Sequence, residues 1–327
     1  MKLPSWLNGR RRTVVFAVAL LAVAGGLQFA NVNPAVSQSV FLTAYQADSD
    51  PGLNPASDVW NSAPPVQAPL TAQAGVYAAG GGSIPTVSAK ALHYKNNLYV
   101  RLEWDDSTAD ESTTRVQDFS DAIALEFPAQ TASTVPSICM GQADGGVNIW
   151  QWRADSQKGF KDPTEVYTGA LVDMYPSKEA LFYTARAAGN PYANHELGPT
   201  QTLVATTFGS LSPAAVQDVK GKGVRVGTGK WAVVFSRPFD GSDGSQARFA
   251  VGAKTDMAIA VWNGSEGDRN GRKSVSQFVT LNVAGMSAPG SKGINSLVVV
   301  LAVILFVGIA GIGVGIAVYG AHEEGRP

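Results

Sequence analysis

Two kinds of hydrophobic pattern divide the chain. Near each end runs an unbroken apolar stretch, and between them apolar and polar residues alternate in short bursts. Residues 89–104 (AKALHYKNNLYVRLEW) hold two alternating runs joined at Asn96-Asn97, which predicts a hairpin with a tight turn. Residues 121–127 (DAIALEF), 147–152 (VNIWQW), 230–235 (KWAVVF) and 257–262 (MAIAVW) are further short strands, each bounded by Gly, Pro, Asp or Asn. Residues 178–188 and 212–219 are read as short helices, and Gly80-Gly81-Gly82 as a flexible break. Short strands with turn residues between them predict a mainly β fold: an antiparallel β-sandwich with inserted loops and short helices.

The terminal stretches add a membrane to this picture. Residues 297–319 are an uncharged apolar run of 23, and as a helix rising about 1.5 Å per residue they span a bilayer core. Lys2, Arg10, Arg11 and Arg12 precede an apolar stretch over residues 13–30, the layout of a signal peptide or an uncleaved signal anchor. The expected division is a signal or anchor over 1–37, an extracytoplasmic domain over 38–286 and a linker over 287–296. A transmembrane helix over 297–319 and a cytoplasmic tail over 320–327 complete it. The arginines hold the N-terminus in the cytoplasm, so the main domain lies on the outer side of the cell membrane.

Charge and cysteine usage narrow the function. A formal net charge of −1 argues against nucleic acid as a partner. Cys139 is the single cysteine of the 327 residues, so the chain can form no internal disulfide, Cys₄ cluster or C-x-x-C-H haem attachment. His93, His195 and His322 are scattered, with no two at metal-ligand spacing. Asp105, Asp106, Asp110 and Glu111 form an acidic loop that lacks calcium-loop spacing and reads as a solvated turn. Glu103 and Glu126 could pair as in a glycosidase, but nothing in the pattern selects them. Met140, before Gly141 and the aromatic strand VNIWQWRA, stands out as a potential soft ligand. Read alone, a methionine before glycine is a flexible core filler.

The order of several short motifs resembles the haem-binding subunit family of ethylbenzene dehydrogenase, with related subunits in dimethylsulfide dehydrogenase, selenate reductase and chlorate reductase. The pieces are LYVRLEWDD (98–106), DAIALEFP (121–128), Met140-Gly141, VNIWQWRA (147–154), AAGNP (187–191), KWAVVFSR (230–237), AIAVWNG (258–264) and RNGRKSVS (269–276). They span roughly residues 55–282. The resemblance implies one haem b in a β-sandwich, with a methionine and a lysine as axial ligands. These fall on Met140 and on Lys273, 133 positions apart. Lys254 is the runner-up lysine, and Lys230 is expected at a strand start facing water. Thioether ligation raises a haem's potential, and an amine binds iron only when deprotonated, a form that an apolar pocket favours. Two filled axial positions favour electron transfer over substrate chemistry. Trp150 and Trp152 face one side of a strand, as lining of the haem pocket or as core, and Arg153 is a candidate partner for a haem propionate.

The resemblance therefore implies an electron-transfer subunit rather than an enzyme in its own right. Its partners would be an iron–sulfur subunit and a molybdenum catalytic subunit, exchanging electrons with a cytochrome or a quinone-linked carrier. The soluble relatives lack the C-terminal apolar run, which here implies tethering to the membrane. The competing reading is a membrane-tethered carbohydrate-binding β-sandwich without haem, with Trp60, Trp104 and Trp262 as stacking platforms.

Overall fold

The computed structural model describes residues 40–288, apart from 74–79, 114, 131, 133–134, 139, 159–186 and 188–197. The chain divides into two units, Met1–Ser39 and Val40–Pro327, and the first lies outside the described residues. So do the apolar run 297–319, the tail, His195, His322, Cys139 and, but for position 187, the helix expected over 178–188. Among the described residues no helix is long and apolar enough to cross a membrane.

Thirteen strands make up the described domain: β1 (Val40–Gln46), β2 (Val66–Ala72), β3 (Thr86–Tyr94), β4 (Asn97–Asp105), β5 (Ala122–Pro128), β6 (Val147–Arg153), β7 (Thr200–Ala205), β8 (Ser212–Pro213), β9 (Lys220–Val226), β10 (Lys230–Pro238), β11 (Lys254–Trp262), β12 (Ser274–Ser276) and β13 (Val279–Val283). They form a two-sheet sandwich. One sheet runs β9-β10-β4-β3, and β3 continues into β2 along its first half and β1 along its second; β1 then pairs with β13. The other runs β8-β7-β6-β5-β11-β12-β2. β11 gives Lys254–Met257 to β13 and Ala258–Trp262 to β5. β2 likewise pairs with β3 through its first residues and with β12 through its last. Strands that change sheets in this way make the corners of a sandwich. The pairings are antiparallel except those of β1, which lies parallel to β3 and β13.

Period-2 alternation decides which side chains fill the space between the sheets. Ile123, Leu125 and Phe127 of β5, Trp150 and Trp152 of β6, Ile259 and Val261 of β11, and Trp104, Trp231, Val233 and Phe235 of the facing sheet form one core. Trp152 meets Trp231 edge-on at 5.1 Å between ring centroids. Trp150 donates its indole N–H to Asn148 Oδ1 at 3.0 Å. The same oxygen takes Arg237 Nη1 at 2.9 Å. Arg237 is itself buried, its guanidinium over the rings of Trp150 and Phe249 at 5.1 Å each. A further bond to Ala247 O completes its hold. Burial pushes this guanidinium down to about 10.

Two expectations are corrected here. The β3–β4 turn is Lys95-Asn96, because Tyr94 pairs with Asn97; Lys95 takes the positive φ of 51° that such a two-residue turn needs. Residues 212–219 are not a helix. Ser212-Pro213 adds a short strand to β7, and Gln217 turns its side chain onto the backbone of Thr202 and Ala214.

Candidate functional site

The outer face of the β7-β6-β5-β11 sheet carries the complementary half of the alternation. Ala122, Ala124 and Glu126 of β5, Ala258, Ala260 and Trp262 of β11, and Ile149, Gln151 and Arg153 of β6 face away from the core and line a cavity of about 740 Å³. The middle of its floor is low because Ala124 opposes Ala260, with Ala258 and Ala122 set against Glu126 and Trp262 on either side. Four alanines side by side leave a shallow apolar shelf, of a size that suits a planar cofactor-sized ligand.

Met140 and Lys273 line this same cavity. Met140 comes from the loop between β5 and β6 and packs on the apolar cluster of Ala122, Ala124, Ile149, Leu203 and Trp262. Its φ of 75° and that of Gly141, 76°, are both left-handed. A Cβ on Gly141 would stand 2.7 Å from Gly145 O, so the tight loop that presents Met140 requires glycine there. Lys273 comes from the segment leading into β12, and its Nζ stands over the Trp262 ring at 4.8 Å. The glycine run, read as a flexible break, is a packing surface for this segment. A Cβ on Gly81 would stand 2.5 Å from Lys273 N, and Gln73 N donates to Lys273 O at 3.0 Å.

Glu126 lies between the two. Burial pushes its carboxyl up to about 8, against the opposing pull of Lys273 and of a hydrogen bond from the Met140 backbone N–H. Its partner in the glycosidase pairing, Glu103, is elsewhere: it sits on β4, held by Arg101 Nη2 at 2.7 Å, and does not line the cavity. Glu126 could have been found from the alternation of small and large residues in AIALEF, which puts it on the alanine face.

The remaining candidates sort by sheet face. Trp150 and Trp152 are not cavity residues; the alternation that sends Ile149, Gln151 and Arg153 outward sends both indoles into the core. Arg153 does line the cavity, with its guanidinium held by Asp155 through Nε at 2.9 Å and Nη2 at 2.5 Å. Lys254 is exposed at the start of β11, and Lys230 is exposed beside Asp105 and Glu103; neither lines the cavity. His93 is buried, its Nε2 2.6 Å from Ala284 O. The acidic loop is partly internal: Asp106 is buried and Asp105 meets Lys230 at 3.3 Å. Among the described residues no group of three or more His, Cys, Asp or Glu is placed to hold a metal ion. The tryptophans proposed as sugar platforms are covered: Trp60 and Trp104 are 2% exposed and Trp262 is 8% exposed beneath Lys273.

The fold and cavity thus define a β-sandwich that carries a largely apolar cavity on one outer face, with the Met140 thioether and the Lys273 amine in its lining. The chain belongs to the ethylbenzene dehydrogenase family, whose model matches residues 57–274. It is 30% identical over 266 residues to a protein of Haloferax mediterranei named as a respiratory nitrate reductase heme subunit, covering 81% of this chain and 79% of that one. It is 26% identical over 268 residues to the chlorate reductase subunit gamma of Ideonella dechloratans, covering 81% and 93%. With the dimethylsulfide dehydrogenase subunit gamma of Rhodovulum sulfidophilum the identity is 31% over 203 residues, covering 59% and 60%. Among solved structures, a family 9 carbohydrate binding module from Caldicellulosiruptor kristjanssonii overlaps 78% of this chain and 98% of its own, at 12% identity and a TM-score of 0.40. That likeness is too distant to bear on function.

Proposed function

We propose that this protein is a membrane-anchored electron-transfer subunit that carries one haem b and serves a molybdenum and iron–sulfur oxidoreductase on the outer face of the cytoplasmic membrane. The observation that carries the reading is the meeting of Met140 and Lys273, 133 positions apart, in the lining of one cavity with an alanine floor. Relatives named as a nitrate reductase heme subunit and as gamma subunits of chlorate reductase and dimethylsulfide dehydrogenase support the assignment. The residues fit the cofactor. The apolar lining would give the porphyrin hydrophobic contact, the Met140 thioether would supply a soft ligand, and Lys273 an amine.

Bound there, haem b would supply a one-electron centre. The chain's own work is to hold and shield it. Met140 and Lys273 would both hold its iron, which suits electron transfer over substrate chemistry. Lys273 must be neutral to ligate, and the buried Glu126 beside it, whose carboxyl is pushed up to about 8, supplies little negative charge to hold the amine protonated. Catalysis would then belong to the molybdenum subunit, with electrons passing through an iron–sulfur subunit to a cytochrome or quinone-linked carrier. The apolar run over 297–319 supports the membrane anchor, and the N-terminal arginines support an outward-facing domain.

The test is a visible spectrum of the full-length chain, purified in detergent after expression with added haem. A b-type spectrum is expected, and its absence overturns the reading. Met140→Ala and Lys273→Ala should each shift the bands or lose the haem, while Lys254→Ala leaves them unchanged. If Lys254→Ala alters the spectrum and Lys273→Ala does not, the lysine assignment fails.

A further inference from the structure

Of the three arginines that line the cavity, one has no carboxylate partner among the described residues. Arg115 is held by Asp118, with Nη2 2.9 Å from Oδ1 and Nε 3.1 Å from Oδ2. Arg153 is held by Asp155. Lys273 faces Glu126. Arg269 also lines the cavity, and among the described residues no carboxylate pairs with it. Its guanidinium lies over the Phe119 ring at 4.7 Å, and Nη1 donates to Gly267 O at 2.7 Å. That fixes one of its five N–H groups and leaves the others to face a ligand.

The backbone under Arg269 is rigid. Arg269 and Arg272 exchange both hydrogen bonds, N to O at 3.0 and 2.8 Å. Asn270 takes the left-handed φ of 49° that closes the turn, and its carbonyl accepts the Trp262 indole N–H at 3.0 Å. The turn is thereby pinned to the cavity floor, and Lys273 follows directly from it. One short segment would supply both the iron-binding amine and, four residues earlier, a cation at the rim. Arg269 is exposed, as befits a group that meets the water-facing edge of a ligand.

We propose that Arg269, rather than Arg153, receives a carboxylate of the bound cofactor and so sets its orientation in the cavity. The proposal rests on the haem reading above, since protohaem carries two propionates on one edge and nothing ionic on the other. A planar guanidinium stacked on an aromatic ring is well suited to take a carboxylate in paired hydrogen bonds.

The test compares protohaem with protohaem dimethyl ester, which has the same ring and no free carboxylate. Both are titrated into haem-depleted full-length chain in detergent, followed by absorbance. Arg269→Gln should weaken protohaem binding about tenfold and leave the dimethyl ester's affinity unchanged, with Arg269→Lys in between. Circular dichroism melts should coincide, because the side chain lies at the surface. The inference is overturned if Arg269→Gln binds protohaem like the wild type, if both haems weaken equally, or if Arg153→Gln produces the expected pattern instead. Failure of the wild-type chain to bind either haem overturns the haem reading and this inference together.

Discussion

Met140 has a backbone conformation that side-chain-bearing residues avoid, at a cost of about 1–2 kcal/mol. Strain of this kind persists where the surroundings over-determine it, here the Gly141 turn and the hydrogen bond to Glu126. Neither Met140 nor Lys273 is selected by spacing or by the company it keeps in the sequence; the family resemblance singled them out. By contrast, the pairing of Trp150 with Trp152 was legible from alternation alone, but not which face they take. The neighbouring strands decide that: Ala122, Ala124, Ala258 and Ala260 offer nothing for an indole to fill, whereas the facing sheet offers Trp231 and Phe235. Truncating Trp150 to Ala should therefore cost roughly 3–5 kcal/mol in urea unfolding, with the haem band positions of the surviving folded protein unchanged. A shifted band would place the indole against the cofactor after all.

At the scale of elements, strong alternation marked β3 to β6, β10 and β11, with ends displaced by a few residues. β1, β2, β7, β9, β12 and β13 went unread because their patterns are short or interrupted: β2 holds Pro69, β9 holds Gly221 and Gly223, and β12 has three residues. A three-residue strand has no independent signal, and it exists because β11 and β2 flank it. That makes the segment before β12, with Lys273, dependent on its packing against the glycine run. Gly81→Ala would force a left-handed alanine into the Lys273 backbone, costing about 1–2 kcal/mol from φ alone. It should weaken haem binding and shift the spectrum, whereas Gly229→Ala, which meets open space, should change neither.

For the whole molecule, the sandwich carries a buried acid where its two sheets meet. Asp121 accepts from Gly264 N at 2.9 Å, Asp110 N at 2.8 Å and Trp231 Nε1 at 2.9 Å. Burial outweighs these bonds and, with the charge of Asp106, pushes the carboxyl from 3.8 up to about 7. Between those values the folded chain keeps a proton that the unfolded chain has released. This contribution to stability is therefore full in acid and is lost as pH rises from about 4 to about 7. Urea midpoints should be higher at pH 5 than at pH 8, and Asp121→Asn should reduce that difference to the share that Glu126 contributes, while lowering both values because an amide nitrogen cannot accept from the donors around it.

The separation of Met140 from Lys273 also bears on when the cofactor can be taken up. A disordered chain offers the two proposed donors with 133 positions of slack between them, and no cavity to gather them. Haem should then bind the completed sandwich and not its precursors, so its supply pulls the folding equilibrium. At a free haem concentration of 100 times Kd the gain is about 2.7 kcal/mol, and thermal midpoints should climb with added haem in the wild type and less so in Met140→Ala. Cells short of haem would accordingly hold less of this protein, through turnover of a looser apo form.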